Sequence, residues 1–180
     1  MILAFDSYYT STKAKTVCVT FQNWADAAPL SVYSEYRDEI AEYVPGQFYR
    51  RELPCITSLL DAMTEVVVDS IVIDGFVYLD DHLKHGLGGH LYEYLQRRIP
   101  VIGVAKTDYH TISRCKASIL RGASRKPLFV TAAGISLEQA AENIKSMHGQ
   151  YRIPTLLKEL DRLTKSGDSS EGSSATGLVP

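Results

Sequence analysis

The sequence predicts an α/β chain, a mixed β-sheet with helices on both faces. Three observations carry that prediction. Short β-branched apolar runs, above all Val66-Val-Val-Asp-Ser-Ile-Val-Ile-Asp74, are of the kind buried on both faces of a sheet. The first three runs are joined by polar turns and read as antiparallel neighbours. Later runs are separated by helical segments, the crossovers that parallel strands require.

Taken in order, Met1–Phe5 is apolar and ends at Asp6, which leads into the polar turn Ser7-Tyr-Tyr-Thr-Ser-Thr12. Lys15–Phe21 alternates as a returning strand, and Ser31–Tyr36 forms a third after the turn region Asn23–Pro29. Pro45 and Gly46 mark a further turn. A helix over Arg51–Thr64 follows, with Leu53, Ile56, Leu59, Leu60 and Met63 on one face and Pro54 in its first turn. After the central strand, the loop His85-Gly-Leu-Gly-Gly-His90 enters a helix that ends near Arg97 and Arg98. Pro100–Val104 is a short strand with Lys106 just beyond it. Arg114–Lys126 is basic, helical or looping, and Leu128–Thr131 is another buried strand. Ser136 caps a helix to Met147, with Glu138 and Gln139 in its first turn. Pro154 opens a last amphipathic helix to Lys165. The Ser/Gly-rich remainder has no periodicity, so the expectation is one domain over 1–165 and a disordered tail over 166–180.

A chain of 180 residues with 45% hydrophobic content can bury one full core. No run approaches the roughly 20 apolar residues of a membrane span, and the N-terminus reads as a strand, not a signal peptide. The three cysteines, Cys18, Cys55 and Cys115, are unpatterned, which predicts reduced thiols in a cytoplasmic protein without a disulfide frame or zinc knuckle. A net charge of −2 hides an asymmetry. Ser31 to Asp81 holds eleven acidic residues against three basic ones, whereas Arg97 to Lys126 holds eight basic residues and one acid, Asp108. A solvated basic face is the ordinary explanation, and a phosphate-bearing partner is the functional one.

Asp74 stands at the carboxyl end of the central strand, where α/β sheets deliver functional side chains. By itself it reads equally as a metal ligand or as an Asp that hydrogen-bonds the following turn. The element order β-β-β-α-β-α-β matches the ribonuclease H-like fold, in which carboxylates on the first strand, the first helix and the end of the fourth strand converge. Those places hold Asp6, Glu52 and Asp74. Closely spaced carboxylates need a cation, and their hard oxygens select Mg²⁺ or Mn²⁺. His82, His85 and His90 fit no common zinc spacing. The Gly86-Leu-Gly-Gly89 loop lacks the G-K-[S/T] ending of a nucleotide-triphosphate loop.

With these residues in place, the chain resembles the endonuclease V family, metal-dependent nucleases that cleave near deoxyinosine in DNA or inosine in RNA. The most specific block is Tyr43-Val-Pro-Gly-Gln-Phe-Tyr-Arg-Arg-Glu52, similar to that family's tyrosine-proline-glycine wedge and its "F-R-E" element. Ile73-Asp74-Gly75, Gly86-Leu-Gly-Gly-His90, Pro100-Val-Ile-Gly-Val-Ala-Lys106, Pro127-Leu-Phe-Val-Thr131 and Tyr151-Arg-Ile-Pro154 follow in the family's order. The resemblance implies a DNA-repair endonuclease, working as a monomer with Mg²⁺, or Mn²⁺ in its place. Asp6 and Asp74 would be direct metal ligands, and Glu52 would share the cation or position its water. Lys106 would complete the catalytic set beside the phosphate. Tyr43 would wedge into the base stack, with Pro45, Gly46 and Gly75 forming the pocket for a flipped purine.

The chain also departs from the family. Leu79-Asp80-Asp81-His82 replaces a histidine–proline pair, so Asp80, Asp81 or His82 become candidate substitutes. Thr131-Ala-Ala-Gly134 replaces "T-G-H-R", and Glu42 replaces the proline before the wedge tyrosine. These changes predict reduced or altered activity beside an intact metal centre. Two other functions stand next to inosine-directed cleavage: a non-cleaving binder of damaged or structured nucleic acid, and a related metal nuclease with another substrate.

Overall fold

The computed structural model describes residues 1–38 and 47–166. Among these, seven strands form one sheet in the order β3-β2-β1-β4-β5-β7-β6. β1 (Ile2–Tyr9), β2 (Ala14–Phe21) and β3 (Ser31–Arg37) make an antiparallel meander. β4 (Ser70–Asp74) then pairs parallel to β1, and β5 (Val101–Ala105) parallel to β4. β7 (Leu128–Ala133) runs antiparallel between β5 and the short edge strand β6 (Ala117–Ile119). The expected mixed sheet is therefore present.

Alternation along the strands assigns the layers. Leu3 and Phe5 of β1, with Ile71 and Ile73 of β4, face a cluster containing Ile56 and Leu59 of α1 (Tyr49–Ala62) and Leu91 of α2 (Leu87–Tyr94). Ile2 and Ala4, with Val72 and Val104, face Ile144 of α3 (Leu137–Ser146) and Leu156 and Leu160 of α4 (Thr155–Lys165). Helices thus cover both faces. Side chains of successive strand residues point to opposite sides, so Asp6 and Asp74 lie on the α4 side of the strand ends.

Several local expectations shift. Only the second half of the central run is strand: Val66–Asp69 brings the chain from α1 to the sheet, and Val67 is 79% exposed. Helix α1 starts at Tyr49, which puts Pro54 in its second turn, on an exposed position. Helix α2 ends at Tyr94, because Gln96 and Arg97 adopt left-handed φ of 55° and 60° and reverse the chain. The basic segment holds a strand, β6, where a helix or loop was expected. Ser136 caps α3 as expected, its Oγ accepting from the Gln139 amide at 3.1 Å. No helix of the described residues is long and apolar enough to cross a membrane. Residues 167–180 of the expected tail lie outside the described residues.

Candidate functional site

The parallel pairing of β1 with β4 sets Phe5 opposite Ile73, so the next residue on each strand, Asp6 and Asp74, emerges from adjacent strand ends. Adjacent strands are about 4.8 Å apart. Their charges oppose each other: burial first, then Asp74, pushes the Asp6 carboxyl up from 3.8 to about 6. Ser7 donates its amide to Asp6 Oδ1 at 2.9 Å.

Glu52 approaches from the α1 layer. It is 4% exposed, and its Oε2 has no hydrogen-bond partner. Burial, then the charges of Asp6 and Asp74, hold its pKa well above the usual glutamate value. Asp74 is raised as well, through loss of surrounding water and against the pull of Lys106. With 46% of its side chain open to solvent, it feels this less than Glu52 does.

Lys106 follows β5, and its Nζ stands 3.6 Å from Asp74 Oδ2 and 3.5 Å from Asp161 Oδ1. Asp161 belongs to α4 and is one of two site residues that the sequence reading missed; the other is Thr164. Thr164 Oγ1 lies 3.2 Å from Asp6 Oδ2 and 2.9 Å from the Asp161 carbonyl. The available signal was Thr164 itself. It falls on the buried stripe of α4 after Leu156 and Leu160 and is 2% exposed, a polar group in an apolar phase. Asp6, Asp74, Lys106 and Asp161 line one small cavity of about 30 Å³, more than the roughly 10–15 Å³ that a single water needs.

Among the described residues, no three His, Cys, Asp or Glu side chains stand close enough to hold a metal ion as positioned. The donors they now use are the protein's own: the Ser7 amide and Thr164 hydroxyl at Asp6, and the Lys106 ammonium at Asp74. The set nonetheless fits a hard dication. All its donors are oxygens, they repel one another, and the buried Glu52 oxygen lacks a partner that a cation would supply.

Of the three candidate substitutes for the lost histidine, the two aspartates are engaged elsewhere through one carboxylate oxygen each. Asp81 Oδ1 accepts the backbone amides of Ser113, Arg114 and Cys115 at 3.0, 2.8 and 3.2 Å, pinning the 113–115 turn. Asp80 Oδ1 accepts the amides of His82 and Lys84 at 2.9 and 3.0 Å, closing its own loop. His82 is exposed. His90 lies within α2 and stacks on Tyr49 at 3.7 Å between ring centroids, with His85 edge-on at 5.5 Å.

Gly75 needs its glycine for conformation, with φ at +123°, and not for space. Its amide already donates to Val104 O at 3.0 Å, so only its carbonyl remains, packed against Gly103 where a Cβ would stand 2.6 Å away. Tyr43, Pro45, Gly46 and Glu42 lie outside the described residues.

The basic stretch is mostly spent internally. Arg97 pairs with Glu93 at 2.8 Å, Arg114 with Asp81 at 3.9 Å, and Lys116 with Asp108. Arg121 is 5% exposed and donates to backbone carbonyls. The expected phosphate-binding face is thus reduced largely to Arg98, Arg125 and Lys126, the first of which donates to the neutral Gln96 side chain.

Comparison with known proteins agrees with this architecture. The sequence model of the endonuclease V family matches residues 1–121. Endonuclease V of Streptomyces avermitilis is 30% identical over 163 residues, covering 78% of this chain and 69% of the relative. Its crystal structure superposes with a TM-score of 0.70 at 23% identity, over 91% of this chain and 79% of that one. Ciona intestinalis endonuclease V, in complex with DNA containing an inosine followed by a ribo-adenosine, gives a TM-score of 0.77 at 18% identity, over 91% and 84% of the two chains. Human endonuclease V gives 0.67 at 21% identity, over 91% and 82%. These likenesses carry the ribonuclease H-like fold, and the match over 1–121 together with the 30% identical relative establishes kinship: the chain belongs to the endonuclease V family.

Proposed function

We propose that this protein is an endonuclease dependent on Mg²⁺, with Mn²⁺ able to substitute, that hydrolyses a phosphodiester near deoxyinosine or inosine as a DNA-repair activity. One observation carries the proposal: Asp6, Glu52 and Asp74 arrive from three separate elements, and Asp6 and Glu52 are each raised by burial first and then by the charge of the neighbouring carboxylates. The Ciona relative was crystallised on inosine-containing DNA, which supports the substrate class.

Asp6 and Asp74 would hold the cation, with Glu52 offering its unpartnered oxygen. When bound, the dication would supply charge to the scissile phosphate and acidify an attacking water. Glu52, buried beside the two aspartates with one unpartnered oxygen, would share the cation or position its water. Lys106 is held at the strand ends by two carboxylates, so its ammonium is aimed where negative charge develops on the phosphate. Tyr43 would fill the stack vacated by a flipped base, and Pro45, Gly46 and the Gly75 carbonyl would border its pocket.

A non-cleaving nucleic-acid reader is favoured by a separate observation. Asp81 and Asp80 each commit one carboxylate oxygen to backbone amides of the surrounding loops, which holds them in structural roles away from the missing histidine's. The test is cleavage of labelled inosine-containing DNA and RNA strands with Mg²⁺, Mn²⁺ or chelator, beside inosine-free strands. Metal-dependent nicking restricted to inosine strands, abolished in Asp74→Ala, is the expected result. Binding without nicking would make the protein a reader, and nicking indifferent to inosine would leave a metal nuclease with another substrate.

A further inference from the structure

We propose that the groove between Tyr151 and Lys158 is a subsite for one nucleotide of the substrate strand flanking the cut, the base stacking on Tyr151 and the phosphate meeting Lys158. The inference rests on the nucleic-acid reading above and extends it to a particular surface.

Tyr151 is 66% exposed, and the Lys158 Nζ stands 5.9 Å from its ring centroid. Together with Ala123, Ser124, Gln150, Arg152 and Ile153 they line a groove without an acidic side chain, in which Arg152 is bonded to the Pro127 and Lys106 carbonyls and Lys158 is the ammonium left for a phosphate. An aromatic face beside an ammonium is the combination that holds single-stranded nucleic acid without regard to sequence. The groove also neighbours the cavity of the candidate catalytic carboxylates. Ile153 lines both this groove and the cavity of Asp6, Asp74 and Lys106. Lys158 in turn borders the adjoining groove that contains Asp161.

The platform is anchored. Arg121, buried beneath it, donates to the carbonyls of Tyr151 at 2.9 Å, Gly149 at 3.2 Å, Arg152 at 3.4 Å and Lys145 at 3.3 Å, and also to that of Met147. Gly122 lies directly against the Gln150 carbonyl, where no Cβ fits. A loop held by one guanidinium at five carbonyls presents its aromatic ring with little ordering left to be done on binding. The pairing of Arg97, Arg114 and Lys116 with carboxylates points the same way, because it removes the competing basic surface.

The experiment measures binding of inosine strands in chelator, where no cut occurs, to wild type, Tyr151→Ala and Tyr151→Phe. Strands carry long flanks or are trimmed close to the inosine on one side or the other, and a 2-aminopurine is placed along each flank. Long strands should bind Tyr151→Ala roughly tenfold more weakly, the scale of one base–aromatic stack, and Tyr151→Phe like wild type. Trimming the flank that reaches the groove should abolish the difference, and wild type alone should quench the 2-aminopurine at that position. Equal binding of all strands by Tyr151→Ala, or an equal loss on trimmed and long strands, would overturn the subsite. Tyr151-dependent binding without cleavage in Mg²⁺ would leave the subsite standing and remove the endonuclease activity instead.

Discussion

At the scale of single residues, the site is a set of carboxylates held together at an electrostatic cost. The Asp6 carboxyl, raised from 3.8 to about 6, binds its proton more tightly in the folded state than in the unfolded one. Its contribution to stability is therefore full below about 4 and is lost as pH rises through about 6. Asp6→Asn should consequently melt higher than wild type at neutral pH in chelator, the gap closing toward pH 4, at about 2–4 °C per kcal/mol. Mg²⁺ should raise the melting temperature of wild type but not of the variant. A melting gap independent of pH would remove the charge coupling. Asp161→Asn leaves Lys106 with Asp74 as its remaining carboxylate partner, and should lower kcat ~10- to 100-fold in single-turnover assays with binding little changed. Asp6, Glu52 and Asp74 were legible because element order and local sequence both mark them. Asp161 was not, because an acid one residue before Arg162 and four before Lys165 on a solvated helix looks like ordinary surface charge.

At the scale of elements, the chain's periodicities named most of what forms, and errors fell where tertiary contacts decide. β6 is three residues long and exists through pairing with β7, so the basic run Arg114–Lys126 carried no periodic sign of it. Val66–Asp69 has strand composition but no strand partner: the Asp69 amide donates to the Met1 carbonyl at 2.8 Å and the sheet begins one residue later. The segment entering α4 shows how elements position the site. Arg152 donates to the Pro127 carbonyl at 2.6 Å, at the head of β7, and to the Lys106 carbonyl, at the end of β5. It therefore ties α4, which carries Asp161 and Thr164, to the strand that presents Lys106. Arg152→Ala should reduce kcat roughly tenfold while leaving KM nearly unchanged, since what changes is the aim of Lys106 and not a substrate contact. Arg152→Lys, with one donor centre in place of a fork, should recover part of the loss. A rise in KM with kcat intact would assign Arg152 to substrate binding instead.

At the scale of the whole molecule, charge placement decides where a strand can lie. Counted along the sequence, the basic block from Arg97 to Lys126 looks like the phosphate-binding face. In space, Arg97, Lys106, Arg114 and Lys116 each face a carboxylate, Arg98 donates to the neutral Gln96 side chain, and Arg121 is interior. An ion-paired cation neutralises its own partner first and contributes little to counterion release from a nucleic acid. Arg125, Lys126 and Lys158 make no ion pair among the described residues; Lys158 lines the Tyr151 groove, and Arg125 and Lys126 directly follow Ser124, which lines it too. Neutralising these three together should flatten the dependence of log affinity on log salt for a single strand by about 2, at roughly 0.7 per phosphate contact. Neutralising Arg97 and Arg114 should leave the slope unchanged, since Glu93 and Asp81 already balance them. The two variants remove three and two positive charges, so a slope set by overall charge would fall in both. A fall confined to the Arg97 and Arg114 variant would put the strand on the α2 side of the sheet, away from Tyr151. Only a fall confined to Arg125, Lys126 and Lys158 is compatible with a strand running from the carboxylates past Ile153 into the groove.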